Sequence, residues 1–190
     1  MKKSPKLDLN APVVLGFTFL CLISLIASAL TGGVSNSLFF CVYRSSMTDP
    51  LTYFRLFGHV FGHAGVEHFM GNITLILLLG PLLEEKYGSL NLACMIGTTA
   101  LVTGLGNMIF FPNTALLGAS GVLFAMILAS SLTSLKDGKI PITFVLVAVL
   151  YLGQECFNAL FVRDNISQIC HIVGGIVGAT LAIFMSKSLK

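Results

Sequence analysis

The stretch LLGASGVLF, residues 116–124, sets Ser120 among small residues at the start of an apolar run. A serine hydroxyl becomes a useful nucleophile only when a base takes its proton. Histidine suits that role because its ordinary pKa lies near neutrality, and His171, in CHIVGGIVG, stands in a later apolar run. Acyl transfer also needs donors aimed at the oxyanion that develops on the attacked carbonyl. Ser120's own backbone N–H is one, left free if the residue opens a helix. His68 and Asn72, spaced i, i+4, project from one helix face and can add two side-chain donors. Together these residues hold every part of an acyl-transfer site.

Each also has a plainer reading. A serine among small residues can be a helix N-cap or a packing residue, and a histidine in a span can simply hydrogen-bond a neighbouring helix. The elements that carry the residues bear on the choice.

The chain has 190 residues, 55% of them hydrophobic and 10% charged, with mean hydropathy +0.91. Such values exclude a soluble hydrolase and place the chain in a lipid bilayer. The net charge of +3 therefore bears on membrane orientation, not on nucleic acid. Cys21, Cys41, Cys94, Cys156 and Cys170 show no CxxC or CxxH spacing, and no metal or other cofactor is expected.

A spanning helix needs about 20 apolar residues, and hydropathy predicts spans at 12–31, 68–86, 90–110, 117–135, 141–161 and 168–186. MKKSPK followed by an apolar run resembles a signal peptide, but the run is long enough to span and is read as a retained first helix. The expected organisation is a short cytoplasmic N-terminus over 1–11, a membrane domain over 12–186 and a cytoplasmic tail over 187–190. The long connection, 32–67, mixes Arg44, Asp49, Arg55, His59, His63 and Glu67 with apolar residues, and reads as an ordered, partly embedded loop. With the N-terminus inside, Lys2, Lys3, Lys6, Lys86, Lys136, Lys139, Lys187 and Lys190 fall on the cytoplasmic side, and Arg44, Arg55 and Arg163 outside.

That orientation fixes depth. Ser120 and His171 each precede a cytoplasmic lysine, Lys136 and Lys187, by 16 residues, which is about 24 Å of helix. His68 and Asn72 lie about 27 and 21 Å above Lys86. Polar groups on three helices thus share one layer of an apolar slab about 30 Å thick. Costly intramembrane polar groups that converge in this way point to a functional site. Gly174 and Gly178 continue the face of His171, while Gly121 and Ala125 follow Ser120, so the two helices can approach closely. A dimer contact of GxxxG type through Gly174 and Gly178 is the alternative use of that stripe.

No aspartate lies at the shared depth: Asp49 and Asp164 are external and Asp137 cytoplasmic. A Ser–His dyad is preferred over a triad, with Asp164 as the alternative third member. HVFGH pairs His59 and His63 at i, i+4 but lacks the glutamate of a zincin HExxH, so structural histidines are preferred over zinc. Glu84 and Glu85 are expected to pair with Lys86 or with loop backbone, and Pro81 to kink the second span.

At these residues the chain resembles the rhomboid family of intramembrane serine proteases. FRLFGHVFGHAGVEHFMGN at 54–72, LGPLLEEKYGS at 79–89, GASG at 118–121 and HIVGGIVG at 171–178 carry the resemblance, in the family's order. It implies an all-α six-transmembrane-helix bundle with a partly embedded loop between helices 1 and 2. It also implies Ser120 as nucleophile, His171 as base, and His68 and Asn72 as oxyanion support beside the Ser120 amide. Arg55 matches the arginine of the loop's usual Trp-Arg pair, with Phe54 in the tryptophan's place. Phe124 replaces a tyrosine that packs on the catalytic histidine and is expected to stack without its hydroxyl. Gly118, Gly121, Gly174 and Gly178 are expected to give room around the pair.

The implied function is cleavage of transmembrane protein substrates near the external membrane face, in a bacterial inner membrane, with both termini cytoplasmic. Water would reach Ser120 through a polar cavity beneath the external loops. The alternatives are an inactive rhomboid-like protein that binds membrane clients, and a small transporter using His59, His63, His68 and His171. The absence of a buried Asp or Glu in mid-span weighs against coupled transport.

Overall fold

A computed structural model of the chain describes residues 9–132 and 168–188, together with helical positions 142–143, 145–147, 149–150 and 153. The helices are α1 (Pro12–Leu30), α2 (Val34–Phe39), α3 (Pro50–Gly58), α4 (Val66–Tyr87), α5 (Ser89–Phe110), α6 (Ser120–Ser131) and α7 (Gln168–Ser188), and one 3-10 turn, His59–Phe61, follows α3. No strand occurs among the described residues; one isolated antiparallel bridge joins Val42 to Leu116. The protein is an all-α membrane protein, and among the described residues four helices (α1, α4, α5 and α7) are long and apolar enough to cross a bilayer. The expected fifth span and the loop holding Asp164 fall largely outside the described residues.

Lipid solvates these helices, so burial follows protein packing and not hydropathy. Phe19 on α1, Phe110 on α5 and Phe184 on α7 face outward at 62, 73 and 76% exposure. By contrast, α6 is enclosed on every side, since all nine residues from Gly121 to Ala129 are buried. It packs chiefly on α7, and also on α4 and α5. Small residues permit this: a Cβ at Gly174 would collide with the backbone of Gly121, and one at Gly178 with that of Ala125. The contact therefore holds two backbones closer than any larger pair would allow.

Between α1 and α4 the connection is ordered. Asp49 caps α3, its Oδ1 accepting from Leu51 N–H at 3.0 Å, and Pro50 follows at the first helical position. The buried Arg55 then pairs with Asp49 Oδ2 at 3.0 Å, donates to Leu38 O at 2.9 Å and lies 4.8 Å above the Tyr43 ring. Tyr53, Phe54 and Phe57 point away from the protein at about half exposure, an apolar outer face suited to a loop seated in lipid.

At the other end of the bundle, Glu84 is buried and accepts from Val13 N–H at 3.0 Å, Val14 N–H at 3.1 Å and the Ser89 hydroxyl at 2.7 Å. The sequence offered Lys86 or loop backbone; the backbone Glu84 finds belongs instead to the first turn of α1. Those amides have no acceptor within the helix, so a carboxylate there satisfies both and meets the positive end of the helix dipole. The helix α4 runs unbroken from Val66 to Tyr87 with Pro81 inside it. Replacing Glu84 with alanine strands three donors, and is expected to lower stability by about 2 to 4 kcal/mol. Thermal unfolding in mild detergent measures this, and an unchanged melting temperature would refute the capping role.

Candidate active site

Ser120 is the first residue of α6, with Ala119 at the N-cap. The plainer reading of Ser120 as an N-cap therefore fails: its hydroxyl is not spent on the helix. Gly118 just before it has φ +129°, a backbone shape that side chains rarely adopt. That kink starts α6 abruptly and leaves the first-turn amides, Ser120 N–H included, without helical acceptors.

Across the glycine contact, His171 on α7 meets the serine: its Nε2 lies 2.7 Å from Ser120 Oγ. The imidazole is 8% exposed and stacks on Phe124, with ring centroids 4.8 Å apart and planes 6° from parallel. Phe124 comes from the same helix as Ser120, one turn on, so a single element presents the hydroxyl and sets the plane of its partner ring.

On α4, His68 is half-buried and Asn72 buried, one turn apart. The His68 ring borders Gly118, since a Cβ there would lie 2.9 Å from His68 Nε2 and 3.8 Å from Ser120 Oγ. Ala64 N–H points at His68 Nδ1 at 3.5 Å, which favours the tautomer carrying its proton on Nε2, toward the serine. Asn72 Nδ2 is buried and finds no acceptor among the described residues. Such a donor is uncommon in a folded protein.

The other titratable residues lie elsewhere. Arg55 and Asp49 hold the loop and do not touch the serine–histidine pair. His59 is fully enclosed, its Nδ1 3.2 Å from Arg55 O and its Nε2 3.3 Å from Thr103 Oγ1. Because a carbonyl can only accept, neutral His59 carries its proton on Nδ1, and its Nε2 competes with Thr99 O, 2.7 Å from Thr103 Oγ1, for the one Thr103 hydroxyl proton. His63 donates from Nδ1 to Phe61 O at 3.1 Å and meets His68 and Phe69 edge-on at 5.1 and 5.4 Å. No group of three metal-binding side chains forms among the described residues. Two polar residues of α5 that the spacing arguments passed over, Thr103 and Asn107, are buried around this loop. An asparagine in the last turn of an apolar helix was the signal that could have found the second.

Residues 50–188 match the family described as Rhomboid domain. The chain is 26% identical over 155 residues to Rhomboid-related protein 2 of Mus musculus, covering 71% of this chain and 51% of that protein. It is 26% identical over 133 residues to Rhomboid-related protein 1 of Caenorhabditis elegans, covering 65% and 37%. With Rhomboid protease GlpG of Yersinia pestis (strain Pestoides F) it shares 25% identity over 182 residues, covering 93% of this chain and 64% of that protein. The chain thus spans between 37 and 64% of the length of these relatives.

Burial holds both loop histidines neutral: it pushes His59 down from 6.5 to about 4, and His63 likewise to about 4, helped there by the nearby His68. The unfolded chain binds these protons below pH 6.5 while the folded chain does not. Stability is therefore full above about pH 6.5, falls as pH drops toward 4, and changes no further below that through these groups. By pH 5 the loss is expected to be on the order of 2 kcal/mol per histidine. Melting curves between pH 7.5 and 5 test this: the wild type should lose stability, and His63→Gln should lose less. Identical slopes for the two would refute it.

Proposed function

The chain belongs to the rhomboid family, and from that premise we propose that it is an intramembrane serine endopeptidase working through a Ser120–His171 dyad. The observation that carries this reading is the 2.7 Å contact between Ser120 Oγ and His171 Nε2, made between two apolar helices. A hydroxyl and an imidazole brought together in a medium that penalises both have a reason to be there other than packing.

In the proposed reaction, His171 Nε2 accepts the Ser120 proton as the hydroxyl oxygen attacks the scissile carbonyl. The carbonyl oxygen becomes an oxyanion, received by Ser120 N–H and by the His68 and Asn72 side chains. His171 then passes its proton to the departing amide nitrogen, and the C–N bond breaks. A water molecule gives a proton to His171 as its oxygen attacks the acyl-serine. Collapse of that second intermediate returns the proton to Ser120 and releases the acid. Phe124 stacking holds the imidazole plane through both transfers, without a hydroxyl of its own.

The substrates in this reading are transmembrane proteins. A helix conceals its carbonyls in backbone hydrogen bonds, so a substrate must unwind locally, and small or helix-breaking residues near the cut favour it. The lysine distribution supports an orientation with both termini in the cytoplasm and the cut near the external face. The GlpG relative supports a bacterial inner membrane as the setting.

A fluorophosphonate probe tests the dyad directly. In detergent the wild type should label at Ser120, and Ser120→Ala and His171→Ala should each reduce labelling and cleavage of a transmembrane test substrate at least about a thousandfold. A wild type that neither labels nor cleaves would sink the protease reading and favour a client-binding protein.

A further inference from the structure

Asn107, in the last turn of α5, is fully buried and uses its whole amide. Its Nδ2 donates to Val42 O at 3.2 Å and to Thr114 O at 3.1 Å, while its Oδ1 accepts from the Thr114 hydroxyl at 3.1 Å. Val42 and Leu116 exchange both backbone hydrogen bonds at 2.8 Å, so Val42 O receives Leu116 N–H as well as the amide. Two residues past Val42, Arg44 donates to Met108 O at 3.0 Å and Ile109 O at 2.9 Å, closing the same helix end. One side chain thus ties together the end of α5, the long loop at Val42 and the segment 111–119 that leads into Ser120.

That segment is held at alternate residues: Thr114 by Asn107, Leu116 by Val42, and Gly118 by His59 O, which accepts its N–H at 2.9 Å. The next residue in the alternation is Ser120. Little slack remains there, because Gly118 is at positive φ and hard against the His68 ring. A buried amide with every hydrogen bond made adds modestly to stability, but its bonds are directional and span three segments.

We propose that Asn107 is a positioning residue for Ser120: through Thr114 and Val42 it fixes the backbone that sets the serine hydroxyl and its amide against His171 and His68. This rests on the serine-nucleophile reading above. It differs from a purely structural role in predicting that reactivity is lost out of proportion to stability. A displacement of about 1 Å at the reacting atoms is enough for a rate effect on the order of a hundredfold.

The test compares full-length Asn107→Ala, Thr114→Val and Thr114→Ser with wild type, and with Glu84→Ala, which destabilises the opposite end of the bundle. Each is assayed below its own melting temperature for the rate of fluorophosphonate labelling at Ser120, and for kcat, KM and pH profile on a transmembrane substrate. Asn107→Ala is expected to label and turn over at least about tenfold more slowly, with KM and pH profile unchanged. Thr114→Val should show a smaller loss in the same sense, and Thr114→Ser, which keeps the hydroxyl, should recover it. Glu84→Ala should label near the wild-type rate despite its lower melting temperature. If Asn107→Ala does not fold, the Thr114 pair decides. Labelling by Asn107→Ala and Thr114→Val at the wild-type rate, or slowed no more than Glu84→Ala, would overturn the inference while leaving Ser120 as nucleophile. A wild type that does not label overturns both.

Discussion

Everything at the site depends on how closely α6 and α7 approach. Gly121 and Ala125 on one helix face Gly174 and Gly178 on the other with no room for another methyl group at either glycine. Since lipid is as apolar as the side chains, dispersion and shape hold such a seam together and not the exclusion of water. The Ser120–His171 contact continues this seam, at the same helix pair and on the same face. Its 2.7 Å length reflects the glycine contacts as much as the attraction between hydroxyl and imidazole.

Two sets of polar groups stand out around that seam. One set is satisfied and holds the scaffold: Glu84 at the start of α1, Arg55 with Asp49 in the loop, His59 between α3 and α5, and Asn107 at the end of α5. The other set is not spent on the scaffold: Asn72 Nδ2 is buried with no acceptor among the described residues, and the first-turn amides of α6 have no acceptor within the helix. An unmet donor in a low-dielectric setting is costly to folding. In the proposed reaction the same arrangement would favour a charge appearing there, so the desolvation that strains the resting site would strengthen its response to an oxyanion.

The spans near 12–31, 68–86, 90–110 and 168–186 agree with α1, α4, α5 and α7 to within two residues at each end, because unbroken apolar runs of that length have one good solution in lipid. The run at 117–135 starts about three residues early: hydropathy continues through Gly118 and Ala119, whereas the backbone turns there and helix begins at Ser120. Ser120, His171, His68 and Asn72 stood out because each is a polar group in an apolar span, and depth could be counted along the helix. Asn107 and Glu84 were harder to place. Their partners lie 65 residues away at Val42 and 70 and 71 residues away at Val14 and Val13, and no spacing rule reaches across such distances. The long loop was legible as ordered from its mixture of charges and aromatics, but the pairing of Arg55 with Asp49 appears only once α3 is formed.

The enclosure of α6 has a further physical meaning. Its 12 residues extend about 18 Å, far short of a hydrocarbon slab about 30 Å thick. A lipid-facing helix of that length would thin the bilayer around it or tilt with each change in membrane composition. Because its neighbours and not lipid cover α6, hydrophobic mismatch acts on those neighbours and reaches α6 only through them. The serine at its head is mounted in a protein frame, and its depth relative to His68 and His171 is insulated from the thickness of the membrane in which the protein sits.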